Sequence, residues 1–226
     1  MKIAMIMLAA GNSRRFGANK LLYEVDGMPM YKHVLGQLMQ VQTCLEEGLK
    51  SIPDKYGNGS DARNNEYIGK YTENLSDIEC KITVVTQYKT IAETVGEQGI
   101  QVLYNQHPEI GISSSLKIGL NANLDADAVL FTVSDQPWLT SETIYELILK
   151  FLLSGKELAC ISGHGKLGNP CIFRKKYYEE LLALEGDKGG KKVLMKHLED
   201  TFIYETKNVR EMEDIDYLRQ TELTEI

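Results

Sequence analysis

Apolar segments of two kinds alternate along this chain and predict a sheet that is covered by helices. Short continuous apolar runs predict buried strands at residues 3–8, 82–86, 101–104, 128–133, 158–161, 170–173 and 201–204. Apolar positions at helical spacing predict helices at residues 30–47, 113–122, 141–153, 177–184 and 191–198. Strands separated by helices pair in parallel, so the expected fold class is α/β, with a single doubly wound, mostly parallel sheet and helices on both faces.

Residues 51–78 interrupt this alternation with a polar stretch rich in Gly, Asn and Asp. A loop of this length is unusual inside a compact domain. It predicts an insertion between the first helix and the second strand of one domain spanning residues 1–226. A lid, an interface element and a passive excursion are all compatible with its composition.

Composition narrows the class of protein. The chain has 226 residues, 43% of them hydrophobic and 25% charged, which is typical of a soluble globular protein. Its net charge of -7 argues against a broad surface for nucleic acid. No apolar run reaches the ~18 residues of a membrane span. The brief apolar start runs directly into Arg14 and Arg15, which favours a first strand over a signal peptide. We therefore expect a cytoplasmic protein with neither nucleic-acid nor membrane partners.

The four cysteines, at positions 44, 80, 160 and 171, lie far apart in the sequence. They form no C-x-x-C pair, and no Cys/His cluster has the spacing of a zinc site. Reduced and mostly buried thiols are the expected state.

The loop after the first strand carries the strongest chemical signal. Its sequence is L-A-A-G-N-S-R-R-F-G-A-N-K, from Leu8 to Lys20. Glycines let the backbone approach a ligand closely, and N–H groups in such a turn bind anions. Arg15 and Lys20 can add charge-assisted hydrogen bonds to phosphate. These features predict a triphosphate site at the carboxyl end of the first strand, with an ordinary strand-to-helix turn and solvated arginines as the alternative.

The second chemical signal is S-D-Q-P at residues 134–137, directly after the strand at 128–133. Asp135 is expected at the same edge of the sheet as the first loop, because the carboxyl ends of parallel strands meet there. One carboxylate together with phosphate oxygens is a ligand set that Mg²⁺ favours. Beside the first loop, Asp135 is therefore predicted to be a metal ligand; a cap of the next helix is the alternative.

Two further segments are expected at this edge. Ser113 and Ser114 open a helix, where N–H groups and hydroxyls can hold a phosphate or the edge of a base. An N-terminal cap of the helix explains them equally well. Gly168, Asn169 and Pro170 precede a predicted strand, where they could line the pocket of a phosphorylated acceptor or form a plain turn.

The segment E-G-D-K-G-G-K at residues 185–191 opens another predicted helix. Asp187 could complete the metal site or bind the metal through water. Lys188 or Lys191 could contact phosphate. A solvated, capped helix start is the alternative.

The first loop matches L-A-A-G-x-S-x-R-x-G-x-x-K, a signature of nucleotidyltransferases. Taken together, the motifs resemble the molybdenum-cofactor nucleotidyltransferases, and within them the cytidylyltransferase branch. The resemblance covers nearly the whole chain, through the first loop, Asn105, residues 111–116, D-Q-P at 135–137, G-N-P at 168–170, G-D-x-G at 186–189 and D-I-D at 214–216. The T-P-E-D that usually follows D-I-D is replaced here by Y-L-R-Q.

The resemblance implies a Rossmann-like fold and a transfer of CMP from CTP to the phosphate of molybdopterin, with release of pyrophosphate. It implies catalytic roles for Arg15, Lys20 and Asp135, and Mg²⁺ on Asp135 and Asp187. It implies an acceptor site at Gly168, Asn169, Pro170 and Lys188. The implied nucleotide-binding residues are Leu8, Ala9, Ala10, Gly11, Asn12, Ser13, Arg15, Lys20, Ser113 and Ser114. A molybdenum hydroxylase that receives the product is the implied protein partner.

Other functions remain compatible with the same motifs. GTP could replace CTP, and a sugar or polyol phosphate could replace the pterin. A non-catalytic carrier of the cofactor is the alternative from another class. The presence of Arg15, Lys20 and Asp135 favours an enzyme over such a carrier.

Overall fold

Nine strands and six α-helices occur in the described residues of the computed structural model, which are 1–12, 19–48 and 78–215. The strands are β1 (Lys2–Ala9), β2 (Glu24–Val25), β3 (Met28–Pro29), β4 (Glu79–Thr86), β5 (Gln101–Tyr104), β6 (Ala128–Val133), β7 (Leu158–Gly163), β8 (Lys166–Arg174) and β9 (Thr201–Glu205). The helices are α1 (Met30–Glu46), α2 (Lys89–Gly96), α3 (Ile112–Asn121), α4 (Ser141–Ser154), α5 (Tyr178–Leu182) and α6 (Lys191–Leu194).

Seven of these strands form one sheet in the order β5-β4-β1-β6-β8-β7-β9. The central strand β1 pairs in parallel with both β4 and β6. β5 is parallel to β4, and β9 is parallel to β7. Only β8 runs antiparallel to its neighbours β6 and β7 within this sheet. The predicted α/β fold with a doubly wound, mostly parallel sheet is therefore confirmed.

The central strand β1 is buried on both faces. Met5 and Met7 join a hydrophobic cluster with residues of α1 and α4. Ala4 and Ile6 join a second cluster with residues of α3 and α5. Because side chains alternate across a strand, helices on both faces require apolar residues at every position. This double burial explains why β1 is a continuous apolar run in the sequence.

The antiparallel strand β8 begins at a different residue from the predicted strand. His164 and Gly165 both have positive φ, 50° and 74°, and they form a tight turn between β7 and β8. The strand predicted at 170–173 therefore begins earlier, at Lys166. Gly168, Asn169 and Pro170 lie within β8, so the prediction that they precede the strand is wrong. The peptide bond between Asn169 and Pro170 is cis.

Short elements account for most other differences from the predicted pattern. The helix predicted at 191–198 ends at Leu194, and a 3-10 turn at Leu198–Asp200 follows it. The helix Lys89–Gly96 was not predicted, because only Ile91 and Val95 supply its buried face. The two-stranded hairpin of β2 and β3 was also missed, although its D-G turn is a recognised hairpin signal.

The predicted insertion at 51–78 lies outside the described residues, except for Ile78, which is buried in the core. All four cysteine thiols are buried and free of disulfide bonds, as predicted. Among the described residues, no helix combines the length and the apolarity that crossing a membrane requires.

Candidate active site

The order of the strands places a topological switch point between β1 and β6. From β1 the chain continues through β4 to β5 on one side, and it then returns to β6 on the other side of β1. The connections therefore leave a crevice at the carboxyl ends of β1 and β6, where open α/β sheets bind their ligands. A cavity of about 350 Å³ opens at this point. Ser134 joins the two strand ends, because its N and Oγ donate to the carbonyl of Leu8 at 3.2 and 2.9 Å.

The cavity gathers residues from distant parts of the chain. Its lining comprises Leu8, Ala10, Gly11, Asn12, Lys20, Leu21, Pro108, Glu109, Gly111, Ile112, Ser115, Val133, Ser134, Asp135 and Asp187. The structure thus brings the described residues of the first loop, Asp135 and Asp187 to one cavity. Ala9 is buried at the end of β1. Ser13 and Arg15 lie outside the described residues.

Lys20 and Asp135 form an ion pair inside this cavity. Lys20 Nζ lies 2.7 Å from Asp135 Oδ2, and the two side chains are 11% and 22% exposed. Lys20 begins a short 3-10 turn that Asn19 caps, because Asn19 Oδ1 accepts a hydrogen bond of 3.1 Å from the N–H of Leu21. A cation and a carboxylate therefore meet where the sequence predicts phosphates and a divalent metal ion.

Side chains that follow β4 hold the first loop in place. Gln87 Nε2 donates to the carbonyl of Ala10 at 2.9 Å and to Asn12 Oδ1 at 3.0 Å. Tyr88 Oη donates to the carbonyl of Gly11 at 2.6 Å. These bonds fix residues 10–12 of the loop relative to the sheet. Sequence reasoning missed both residues, since T-Q-Y after a strand is no recognised motif.

A close backbone contact brings Asp187 to the cavity. Gly111 has a φ of 104°. A Cβ on Gly111 would lie 2.5 Å from Asp187 Oδ1 and 2.6 Å from the carbonyl oxygen of Gly186. The N–H of Ser113 donates to that same carbonyl at 3.1 Å. Only glycine combines this φ with such a close approach, so Gly111 explains how the 186–187 loop reaches the site.

Of the three serines at 113–115, it is Ser115 that lines the cavity. Asn105, which is buried, donates from Nδ2 to Ser115 Oγ at 2.8 Å, and its Oδ1 accepts from Ser114 Oγ at 3.2 Å. Ser113 is buried beside the cavity lining. The nucleotide-binding roles of Ser113 and Ser114 remain predictions. Ser115 and Asn105 are further candidates, identified by their position in α3 and after β5.

The predicted acceptor segment lies at the same edge of the sheet as Asp135. Because β8 is antiparallel to β6, its first residues, including 168–170, lie beside the carboxyl end of β6. Neither this segment nor Lys188 is among the described residues that line the cavity. The neighbouring Lys191 donates from Nζ to the carbonyl of Leu167 in β8, at 2.8 Å. The acceptor roles therefore remain predictions.

Comparison with known protein families agrees with this geometry. The family model described as the MobA-like NTP transferase domain matches residues 5–53 and 62–201. This chain belongs to that family. The matched residues include β1 from Met5 onward, the first loop, D-Q-P, and Gly168 to Pro170. The match ends at the start of β9, so residues 202–226 lie beyond it.

Individual relatives of this MobA-like domain were also found. A probable molybdenum cofactor guanylyltransferase from Pyrococcus horikoshii is 47% identical over 38 residues. That match spans 17% of this chain and only 20% of the relative's length. The crystal structure of Rv0371c from Mycobacterium tuberculosis H37Rv has a TM-score of 0.66 at 18% identity, covering 95% of this chain and 92% of that one. A Methanothermobacter nucleotidyl transferase has a TM-score of 0.66 at 17% identity with the same coverage. These two structures support the fold.

The donor atoms of the MobA-like site suit a magnesium ion that arrives with a substrate. Asp135 and Asp187 both line the cavity. Across residues 1–12, 19–48 and 78–215, no group of three His, Cys, Asp or Glu side chains could hold a metal by itself. Mg²⁺ is usually bound by one or two carboxylates together with substrate phosphates and water. The residues therefore fit Mg²⁺ held jointly by protein and nucleotide.

Proposed function

We propose that this MobA-like domain transfers CMP from CTP to the terminal phosphate of a molybdopterin-type acceptor and releases pyrophosphate. The observation that supports this most strongly is the cavity at the switch point, where Lys20 and Asp135 meet beside the L-A-A-G loop. Family membership supports nucleotidyl transfer in general. The resemblance of the motifs supports the pterin acceptor and the cytidylyl group in particular. A molybdenum hydroxylase would then receive the product.

The chemistry requires alignment and charge neutralisation rather than a covalent enzyme intermediate. An oxygen of the acceptor phosphate attacks the α-phosphorus of the nucleotide, and the bond to the β-phosphate breaks as pyrophosphate leaves. The backbone of Gly11 to Ser13 and the guanidinium of Arg15 bind the β- and γ-phosphates. Lys20 contacts the α-phosphate or the acceptor phosphate. Holding the two phosphates in line converts a bimolecular reaction into a unimolecular one.

Magnesium would be held by Asp135, with Asp187 as the second carboxylate. Bound there, the ion would stabilise the negative charge that develops on the transferring and leaving phosphates. The ion pair with Lys20 implies that the ammonium moves from Asp135 to phosphate when the metal–nucleotide complex enters. Lys20 would thus keep an anionic partner through this exchange.

GTP is the second candidate nucleotide. The relative from Pyrococcus horikoshii that bears the name guanylyltransferase supports it, over the 38 residues that match. A sugar or polyol phosphate as the acceptor and a non-catalytic carrier are the remaining alternatives. Each of them predicts a different pattern of pyrophosphate release.

A panel of substrates tests the proposal. The purified protein is incubated with Mg²⁺ and each of the four ribonucleoside triphosphates, with molybdopterin, with a sugar phosphate or with no acceptor. Pyrophosphate release and molybdopterin binding are both measured. We expect release from CTP only when molybdopterin is present, because the acceptor supplies the nucleophile. If GTP were the one nucleotide from which pyrophosphate is released, the reaction would be guanylyl transfer. Turnover with a sugar phosphate but not with the pterin would exclude the cofactor function, and binding without turnover would indicate a carrier.

A further inference from the structure

Residues 208–215, which follow the last strand, lie against the loop that carries Asp135. We call this segment the C-terminal strap. The N–H of Ile215 donates to the carbonyl of Asp135 at 3.1 Å. Gln136 Nε2 donates to Asp214 Oδ1 at 2.8 Å and to the carbonyl of Met212 at 3.2 Å. The strap thus contacts the backbone of Asp135, the predicted metal ligand, and the side chain of Gln136, the residue that follows it.

The strap is anchored where the same loop joins α4. Glu211 is 2% exposed. Its carboxylate accepts hydrogen bonds from the N–H and hydroxyl of Thr140 and from the hydroxyls of Thr143 and Thr206. The guanidinium of Arg210 lies 4.1 Å from the ring centroid of Trp138. The loop from residue 135 to 140 is therefore held by the strap at both of its ends.

The strap also touches the strand that carries the predicted acceptor segment. A Cβ on Gly168 would lie 2.5 Å from Cε of Met212. A Cβ on Gly163, at the end of β7, would lie 2.5 Å from Cγ1 of Val209. The strap thus connects the Asp135 loop with the edge of the sheet where the acceptor is expected.

Gln136 is the link through which the strap can act on Asp135. Its side chain is 4% exposed, and its Oε1 is buried with no hydrogen-bond partner among the described residues. The amide is therefore oriented through its nitrogen alone, by Asp214 and the carbonyl of Met212. Loss of the Asp214 carboxylate would leave the buried amide held only by the carbonyl of Met212, next to the predicted metal ligand. Gln136 adjoins Asp135 in the backbone, so its orientation affects where the predicted ligand points, and groups around a metal ligand commonly control metal affinity.

We propose that Asp214 is a positioning residue that orients Asp135 through Gln136 for binding of the metal–phosphate complex. The inference rests on the proposed function only in taking Asp135 as the metal ligand. It does not depend on which base or acceptor the protein uses. A purely structural role for Asp214 would affect stability without affecting the metal.

The test measures binding of Mn²⁺ in the presence of pyrophosphate, by paramagnetic resonance, to the full chain and to variants. Asp214→Ala is expected to weaken Mn²⁺ binding by about tenfold, as loss of an outer partner usually does. Asp214→Asn keeps an oxygen acceptor for Gln136 and is expected to bind Mn²⁺ like the parent. Glu213→Ala, which removes the neighbouring exposed carboxylate of the strap, is the matched control and should also resemble the parent.

A double-mutant cycle makes the result independent of a general loss of stability. Gln136→Ala alone and together with Asp214→Ala should weaken Mn²⁺ binding by about the same factor, since both act through one contact. Parental Mn²⁺ affinity in Asp214→Ala would overturn the proposal, as would additive effects in the cycle. An equal loss in Asp214→Asn and Asp214→Ala would also overturn it, because Asp214 would then contact the metal directly. Failure of the parent in the pyrophosphate-release panel would concern the proposed function, not this binding measurement.

Discussion

Lys20 Nζ lies 2.7 Å from Oδ2 of Asp135, so the cation assigned to phosphate and the carboxylate assigned to metal neutralise each other in the free protein. Both side chains are partly buried and remain open to the cavity, so each charge is balanced by its partner while the fold depends little on the pair. Binding of a metal–nucleotide complex would replace the Lys20–Asp135 ion pair by two pairs. The metal would pair with the Asp135 carboxylate, and the Lys20 ammonium would pair with phosphate. The proposed function therefore predicts that metal and nucleotide bind together rather than metal alone.

The first prediction concerns metal binding without nucleotide. Lys20→Gln should bind Mn²⁺ more tightly than the parent, because it removes the ammonium that competes for Asp135. The same variant should lose about 10²-fold in turnover, since one electrostatic contact to the transferring phosphate is gone. Titration with Mn²⁺ and steady-state assays measure the two effects. Lys89→Gln, at an exposed lysine outside the cavity, is the control. Unchanged Mn²⁺ affinity in Lys20→Gln would show that the Lys20 ammonium does not compete with the metal for Asp135.

The second prediction separates a metal ligand from a structural aspartate. Asp135→Asn should abolish Mg²⁺-dependent turnover, because it removes the charge and keeps the shape. The free energy of unfolding should fall by no more than about 1 kcal/mol, as expected for an ion pair that remains open to the cavity. Urea denaturation and pyrophosphate release measure the two quantities. A capping role predicts a nearly normal rate instead, since Asn also caps helices well.

The sequence predicted those parts of the fold and site that depend on local patterns. The apolar run of β1 indicated burial on both faces, and the L-A-A-G loop and D-Q-P each followed a strand. Parallel pairing then sufficed to place Asp135 near the first loop. The family and the fold could be predicted because both depend on these local patterns.

The contacts that complete the site are non-local, and the sequence does not encode them as motifs. Gln87 and Asn12 are 75 residues apart, and Gln136 and Asp214 are 78 residues apart. The choice of Ser115 over its neighbours depends on how α3 is rotated against the cavity. The position of Gly168 within a strand depends on the reversal at His164. Tertiary packing decides each of these, so periodicity alone could not predict them.

The third prediction compares two adjacent arginines that lie outside the described residues. Arg15 occupies the signature position, and its planar fork can bind two phosphate oxygens at once, which lysine cannot reproduce. Arg15→Lys should therefore weaken CTP binding and slow turnover markedly. Arg14 occupies a variable position of the signature, so Arg14→Lys should be almost silent. Titration of both variants with CTP checks this, and greater damage from Arg14→Lys would show that the assigned register of the loop is wrong.

The fourth prediction concerns the cysteines. Burial raises the pKa of the Cys80 and Cys160 thiols to about 12, and it also raises the pKa of Cys44 and of Cys171. Since the thiolate is the reactive form, these side chains should be protonated and unreactive at pH 8 in the folded protein. A thiol reagent such as DTNB should label none of the four in the native protein and all four in denaturant. Rapid labelling of the native protein would contradict their burial.

The central claim is transfer of a nucleoside monophosphate, and the fate of isotopically labelled phosphate tests it most directly. The protein is incubated with Mg²⁺, molybdopterin and CTP labelled either at the α-phosphate or at the γ-phosphate. The products are then separated and identified by mass. The account predicts that the α-label appears in a pterin dinucleotide and the γ-label in pyrophosphate. Appearance of the γ-label in the pterin, or in free inorganic phosphate without a dinucleotide, would contradict it.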